Sequence, residues 1–237
     1  MISITSLELG RRSNKRKFLE LCQDVNGEEV VDISHWVFLC QTENHKVLID
    51  SGPYNSELLS ANGRGEYKYY HNLITMLSEY LKPASIDFLV LTHLHWDHCA
   101  NSSFFPNSKI VVQKDEVAYA RTPIPIHRRF YDADSLSFLN SQKNILTIDG
   151  NMKIDSYLEV LKTPGHTPGS QSVVVNYNKR RIAFLGDNYT LETGQPPGIS
   201  SSMVDWWASR MRVQRLTDII IPSHDPLAGE ILKKAME

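Results

Sequence analysis

The sequence predicts an α/β chain built as two packed mixed β-sheets with helices outside them, an αββα sandwich. Two observations carry the prediction. Strand-like apolar runs occur in both halves of the 237 residues, with helical patterns between them. Four of the strand-like runs lead into a residue type that binds metal, so the sheets read as a scaffold for one site.

Residues 2–9 alternate apolar and polar, as a half-buried strand does. Residues 30–40 and 46–50 read as a hairpin around Thr42-Glu43-Asn44, and 51–66, with glycines and polar residues, as a long loop. Tyr70, Leu73, Ile74, Leu77 and Leu81 recur at helical spacing, and Pro83 stops that helix. The run 86–91 is a strand, as are 109–113 and 158–162, with 121–129 a proline-marked loop. Residues 172–177 and 180–185 form a second hairpin turning at Asn178-Lys179. Then come a helix over 203–216, a strand over 218–223 and a short closing helix. Without repeats, low-complexity tracts or a linker, the whole of 1–237 is expected to be one domain.

The net charge of −2 gives no general pull towards nucleic acid or an anionic membrane. The local basic cluster Arg11, Arg12, Lys15, Arg16 and Lys17 reads as a solvated loop. No run approaches the roughly 20 apolar residues of a membrane span, and no signal peptide is visible. Three irregularly spaced cysteines, Cys22, Cys40 and Cys99, argue against a disulfide framework and suit a cytoplasmic location. Cys99 reads as a small buried apolar residue.

The densest chemistry lies in Thr92-His93-Leu94-His95-Trp96-Asp97-His98, three imidazoles and a carboxylate directly after an apolar strand. Imidazole nitrogen and carboxylate oxygen suit zinc, iron, nickel or cobalt. His93 and His95, two apart, point to one side of an extended backbone and can share one ion. Asp97 and His98 fall where the strand turns and point elsewhere, which divides the ligands between two ions about 3.5–4 Å apart. Further along, His166 sits in the rigid loop Thr163-Pro164-Gly165-His166-Thr167-Pro168-Gly169. Asp187 and His224 each follow a strand-like run. Alone, each of these three would read as a core histidine or a capping aspartate. Beside the cluster at 93–98 they read as ligands. His35, His45, His71 and His127 lack ligand spacing and read as ordinary packing residues.

In order, this series resembles the signature of the metallo-β-lactamase fold superfamily: His-x-His-x-Asp-His, a lone His, a lone Asp and a last His. The resemblance spans nearly the whole chain and implies the αββα fold. It also implies that His93, His95 and His166 hold one metal, that Asp97, His98 and His224 hold the other, and that Asp187 bridges them. Two divalent ions, zinc first and iron, manganese or cobalt as alternatives, would turn a shared bridging water into hydroxide near neutral pH. Asp97, beside that water, is the expected proton carrier.

The motif 163–172 and the stretch His93-Leu94-His95-Trp96-Asp97-His98 with Asn101 are similar to those of N-acyl homoserine lactonases, which implies opening of a lactone or related small ester. In those enzymes a tyrosine shortly after the bridging aspartate holds the substrate carbonyl. The candidate is Tyr189, two residues after Asp187; the lactonase spacing is three, where Thr190 stands. Cys99-Ala100-Asn101 also departs from the glycines usual there. The alternatives are a thioesterase of glyoxalase II type, for which only 13 residues follow His224, another hydrolase of the superfamily, and a non-enzymatic metal-binding sensor. The expected partner is a small-molecule ester or lactone, with neither nucleic acid nor membrane; oligomeric state is not readable. Tyr67, Tyr69, Tyr70 and the 121–129 loop are candidates for covering the pocket.

Overall fold

The computed structural model describes residues 2–21, 26–53 and 67–237, with nothing stated of the Phe18 side chain. Cys22 and most of the loop expected over 51–66 fall outside the described residues. The first strand, β1 (Ser3–Lys15), pairs antiparallel with β2 (Val30–Gln41) from Ser3↔Gln41 to Lys15↔Val30, with a register shift between Glu8 and Gly10. It therefore runs well past the alternating stretch at 2–9. The basic cluster is correspondingly not a loop. Arg11 and Lys15 belong to this strand, and ion pairs with Glu8, Glu28, Glu20 and Glu29 absorb Arg11, Lys15, Arg16 and Lys17.

A tight turn, in which Thr42 N–H donates to the His45 carbonyl, leads to β3 (Lys46–Ile49) as the hairpin pattern predicts. The expected helix over 70–81 is shorter. Tyr69–Tyr70 (β4) pairs with β1, and α1 (Leu73–Ser78) starts only after Asn72, whose side chain accepts from Thr75 N–H. That cap satisfies a first-turn donor and sets the boundary. Parallel strands β5 (Phe88–Val90), β6 (Lys109–Gln113) and β7 (Ile145–Ile148) complete a seven-stranded sheet of order β4-β1-β2-β3-β5-β6-β7. Between them lie α2 (Trp96–Cys99), α3 (Lys114–Arg121) and α4 (Phe138–Ser141). The last two helices, β7 and the next strand have short or weakly periodic sequences and are not legible there.

The second sheet has five strands, β12-β11-β10-β9-β8. These are β8 (Met152–Lys153), β9 (Leu158–Lys162), the hairpin β10 (Gln171–Tyr177) with β11 (Arg180–Phe184), and β12 (Ile219–Ile221) parallel to β11. Asn178 takes the positive φ of 53° that the hairpin turn requires, a conformation asparagine tolerates. Helix α5 (Met203–Leu216) spans the range the sequence predicts, and α6 (Ala228–Met236) closes the described chain.

Both sheets are mixed, and their residues alternate between two apolar layers. Phe38, Cys40, Val90 and Val111 of the first sheet meet Val173, Val175, Ile182 and Phe184 of the second. Val37, Leu39, Leu89 and Ile110 face outward onto Leu73, Leu77, Phe105 and Phe138. Val174, one residue out of phase with its neighbours, faces outward onto Val213 of α5. Period-two patterning thus produces the αββα layering. Cys99 is a buried member of the outer layer, as its apolar reading expects. Gln171 ties the sheets together at one end: its backbone N–H donates to Thr92 O and its side-chain amide to Leu91 O and Val111 O.

Candidate metal centre

Strands β5, β9, β11 and β12 all end on that side, and each end delivers part of one cluster. After β5, His93 and His95 precede the short helix α2, which carries Asp97 and His98. The β9–β10 loop brings His166, and its path depends on Gly165. That residue has φ 151°, and a Cβ there would lie 2.4 Å from Trp206 Cα. Gly186, at φ 54°, packs against Thr92 and turns the chain so that Asp187 faces the histidines. His224 follows β12 and is clamped to β2: Ser34 N–H donates to the His224 carbonyl, and His224 Nδ1 lies 3.0 Å from Ser34 O.

Potential ligand atoms of His93, His95, His166 and Asp187 lie within 4.8 Å of one another, as do those of His98, Asp187 and His224, and those of His35, Asp97 and His224. Asp187 belongs to both of the first two groups. One of its oxygens, Oδ1, lies 3.1 Å from both His98 Nε2 and His224 Nε2, while Oδ2 lies 3.5 Å from His166 Nε2. Asp97 Oδ2 is 3.8 Å from His224 Nε2. His95 Nδ1 faces His166 Nε2 at 3.0 Å, and the buried Nε2 atom of His93 has no hydrogen-bond partner among the described residues. Buried ring nitrogens converging with so few protons to share fit a cation between them. The seven residues that the sequence singles out as ligands thus share one cluster.

The outward nitrogens of His93, His98 and His166 are occupied. His98 Nδ1 lies 2.8 Å from Asp50 Oδ2, His166 Nδ1 2.7 Å from Ile199 O and His93 Nδ1 3.2 Å from Thr92 Oγ1. Such contacts fix which nitrogen faces a metal. Asp50 itself accepts from Thr92 N–H and Thr92 Oγ1–H, and it sits at a positive φ of 62°. Its only signal in the sequence is its place after a strand. Glu116, at the start of α3, is fully buried and accepts from Leu94 N–H and Tyr131 O–H on one oxygen, and from Thr167 O–H and Gly169 N–H on the other. It therefore joins the His93–His95 loop to the His166 loop, and nothing near it in sequence announces that.

The two halves differ electrostatically. Burial, reinforced by neighbouring histidines, pushes His93 and His95 well below the ordinary imidazole range, and burial lowers His166. Burial also opposes charge on His98 and His224, but Asp187, joined by Asp50 at His98 and by Asp97 at His224, raises both. Burial works to raise the two aspartates. The surrounding imidazoles nevertheless hold Asp97 and Asp187 well below the usual carboxylate range.

A cavity of ≈ 440 Å³ opens onto His95, Asp97, His166, Asp187 and His224. Leu19, Ile33, Trp96, Phe130 and Ile199 give it apolar walls, and Arg12 and Arg129 add positive charge. Arg129 and Phe130 come from the end of the proline-marked loop and Arg12 from β1. Tyr67 packs on Trp96 and so approaches the site from behind, whereas Tyr69 is exposed and Tyr70 donates to Pro53 O. Tyr189 is not brought to the cavity. Its hydroxyl donates to Glu192 O, 3.1 Å away, and the Arg210 guanidinium lies 4.3 Å over its ring. Thr190 lines the cavity instead, its hydroxyl donating to Asp187 O. Among the other histidines, His127 packs behind the cavity wall against Tyr119, but His35 lies beside Asp97.

The fold and this cluster define a metal-site protein of the β-lactamase-like kind. Residues 30–224 match the metallo-beta-lactamase superfamily model, and the chain belongs to that superfamily. It is 32% identical over 172 residues to the N-acyl homoserine lactonase AttM of Rhizobium radiobacter, covering 65% of this chain and 64% of that protein. An N-acyl homoserine lactonase of Bacillus cereus is 25% identical over 167 residues, 66% of this chain and 64% of its own length. The match thus spans a little under two thirds of these relatives. Among solved structures, a B. thuringiensis AiiA mutant with N-decanoyl-L-homoserine bound at its active site superposes with a TM-score of 0.79 at 20% identity, covering 99% of this chain and 96% of that one. AidC, a dizinc quorum-quenching lactonase, gives a TM-score of 0.75 at 16% identity over 96% and 88% of the two chains. These likenesses show the shared fold. No helix among the described residues is long and apolar enough to cross a membrane.

Proposed function

We propose that the chain is a dinuclear metal-dependent hydrolase that opens a lactone of the N-acyl homoserine type or a related small ester. One observation carries the reading: Asp187 directs its two oxygens to two different histidine sets at the floor of a small-molecule cavity. The names of the similar proteins support the choice of substrate. In this reading His93, His95 and His166 hold one ion, Asp97, His98 and His224 the other, and Asp187 both. The donor set of five imidazoles and two carboxylates suits zinc, with iron, manganese or cobalt as alternatives.

When bound, such a pair of ions lowers the pKa of water and polarises a carbonyl oxygen. The chain supplies the rest. Asp97, 14% exposed and lining the cavity, takes the proton from the attacking water and returns it to the departing alkoxide of the ring. The apolar walls receive the acyl chain and exclude bulk water. Arg12 and Arg129 place positive charge where a polar head group or the carboxylate product lies.

The test is hydrolysis of lactones, thioesters, β-lactams and phosphodiesters by zinc-loaded protein. Lactone opening that a chelator abolishes and zinc restores is expected. Turnover of thioesters or phosphodiesters without lactones would contradict the substrate assignment, and no metal-dependent turnover at all would contradict the enzyme.

A further inference from the structure

His35 lies outside the seven-residue set, in the middle of β2, yet its side chain is only 1% exposed and adjoins the site. Its Nε2 lies 3.5 Å from Asp97 Oδ2 and has no hydrogen-bond partner among the described residues. Its Nδ1 lies 3.0 Å from Tyr67 Oη, and its ring stands edge-on to His224 with centroids 5.0 Å apart. A buried ring nitrogen without a partner is costly, so its placement calls for a function. The acceptor in reach is Asp97 Oδ2. The terminal torsion of an aspartate is soft, and a small rotation of the carboxylate brings this pair to hydrogen-bond length.

We propose that His35 is a positioning residue for Asp97. Its Nε2–H, donated to Oδ2, orients the carboxylate on the second ligand set, and Tyr67 fixes that tautomer by donating its hydroxyl to Nδ1. Ligating carboxylates are themselves hydrogen-bonded in well-formed metal sites, and such outer contacts tune affinity. On the second set, Asp50 does this for His98 and the Ser34 carbonyl for His224. His35 completes the pattern for Asp97. The proposal rests on reading Asp97 as a ligand.

The experiment measures the zinc affinity of each ion by chelator competition in the full chain, for the parent, His35→Phe and His35→Gln. The melting temperature of each metal-free protein is measured alongside. The parent is expected to hold two ions. His35→Phe is expected to weaken the second ion about 10–100-fold and to leave the first unchanged. His35→Gln carries an amide N–H at similar reach and is expected to restore most of that loss. If His35→Phe does not fold, the glutamine variant decides: parental affinity supports the donor role and weakened affinity opposes it. Two ions at parental affinity in His35→Phe would overturn the proposal and leave the dinuclear reading intact. So would equal weakening of both ions, or a glutamine variant as weak as the phenylalanine one. A parent that never binds a second ion would overturn both.

Discussion

The two halves of the cluster are built from similar side chains but held differently. The His93, His95 and His166 half is supported by neutral groups, Thr92 Oγ1 and the Ile199 carbonyl, and by loops that Glu116 ties together from behind. The Asp97, His98 and His224 half is surrounded by charge and by β2: Asp50 on His98, Ser34 on His224 and His35 beside Asp97. The consequence appears in the imidazoles. The first half's are lowered by burial, whereas in the second half carboxylates outweigh burial and raise His98 and His224. Nearby carboxylates, Asp187 first among them, thus decide how strongly protons compete for these imidazoles, even where the side chains are chemically alike.

The largest separable effect is expected at Asp50. Asp50→Asn exchanges the carboxylate on His98 Nδ1 for an amide and should weaken the second ion about 10–100-fold while sparing the first, as read by chelator competition. Equal loss at both ions would break the comparison. Glu116→Gln should act on the opposite half. All four partners of Glu116 are donors, two of them backbone N–H groups, so an amide nitrogen must face groups that also donate. About tenfold weaker binding of the first ion is expected, with little change at the second. The smallest effect is expected at Tyr189. Its hydroxyl faces Glu192 rather than the cavity, so Tyr189→Phe should leave ester turnover within about twofold, whereas loss of a donor to the reacting carbonyl costs about a hundredfold. A large loss would restore the carbonyl-binding role that its position after Asp187 suggests.

These residues also show what a sequence makes legible. The candidate ligand series stands out because imidazoles crowd together at 93–98, and His166, Asp187 and His224, ambiguous alone, take their reading from that cluster and from the family signature. His35, Asp50 and Glu116 act through partners distant in sequence. His35 meets Asp97 through the course of β2, and Glu116 meets Thr167 only because the β9–β10 loop folds over α3. No spacing rule encodes such contacts. The same holds for the fold. The hairpins at Thr42 and Asn178 and helix α5 carry local signals of turn and period. The second half of β1 is a strand because β2 pairs with it, so its polar, basic sequence reads as a loop. The short edge strands β4, β7 and β8 likewise owe their form to neighbours.

The most direct test of two unlike subsites is native mass spectrometry of zinc-loaded protein as the pH falls from neutral. A raised imidazole pKa means protonation at a higher pH, so protons displace metal first where His98 and His224 lie. His93 and His95, held well below the ordinary range, resist protonation longer. Two ions are expected at neutral pH, then a one-ion species at mildly acid pH that Asp50→Asn shifts, and only then metal-free protein. Both ions leaving in a single step, or never more than one ion per chain, would contradict that order.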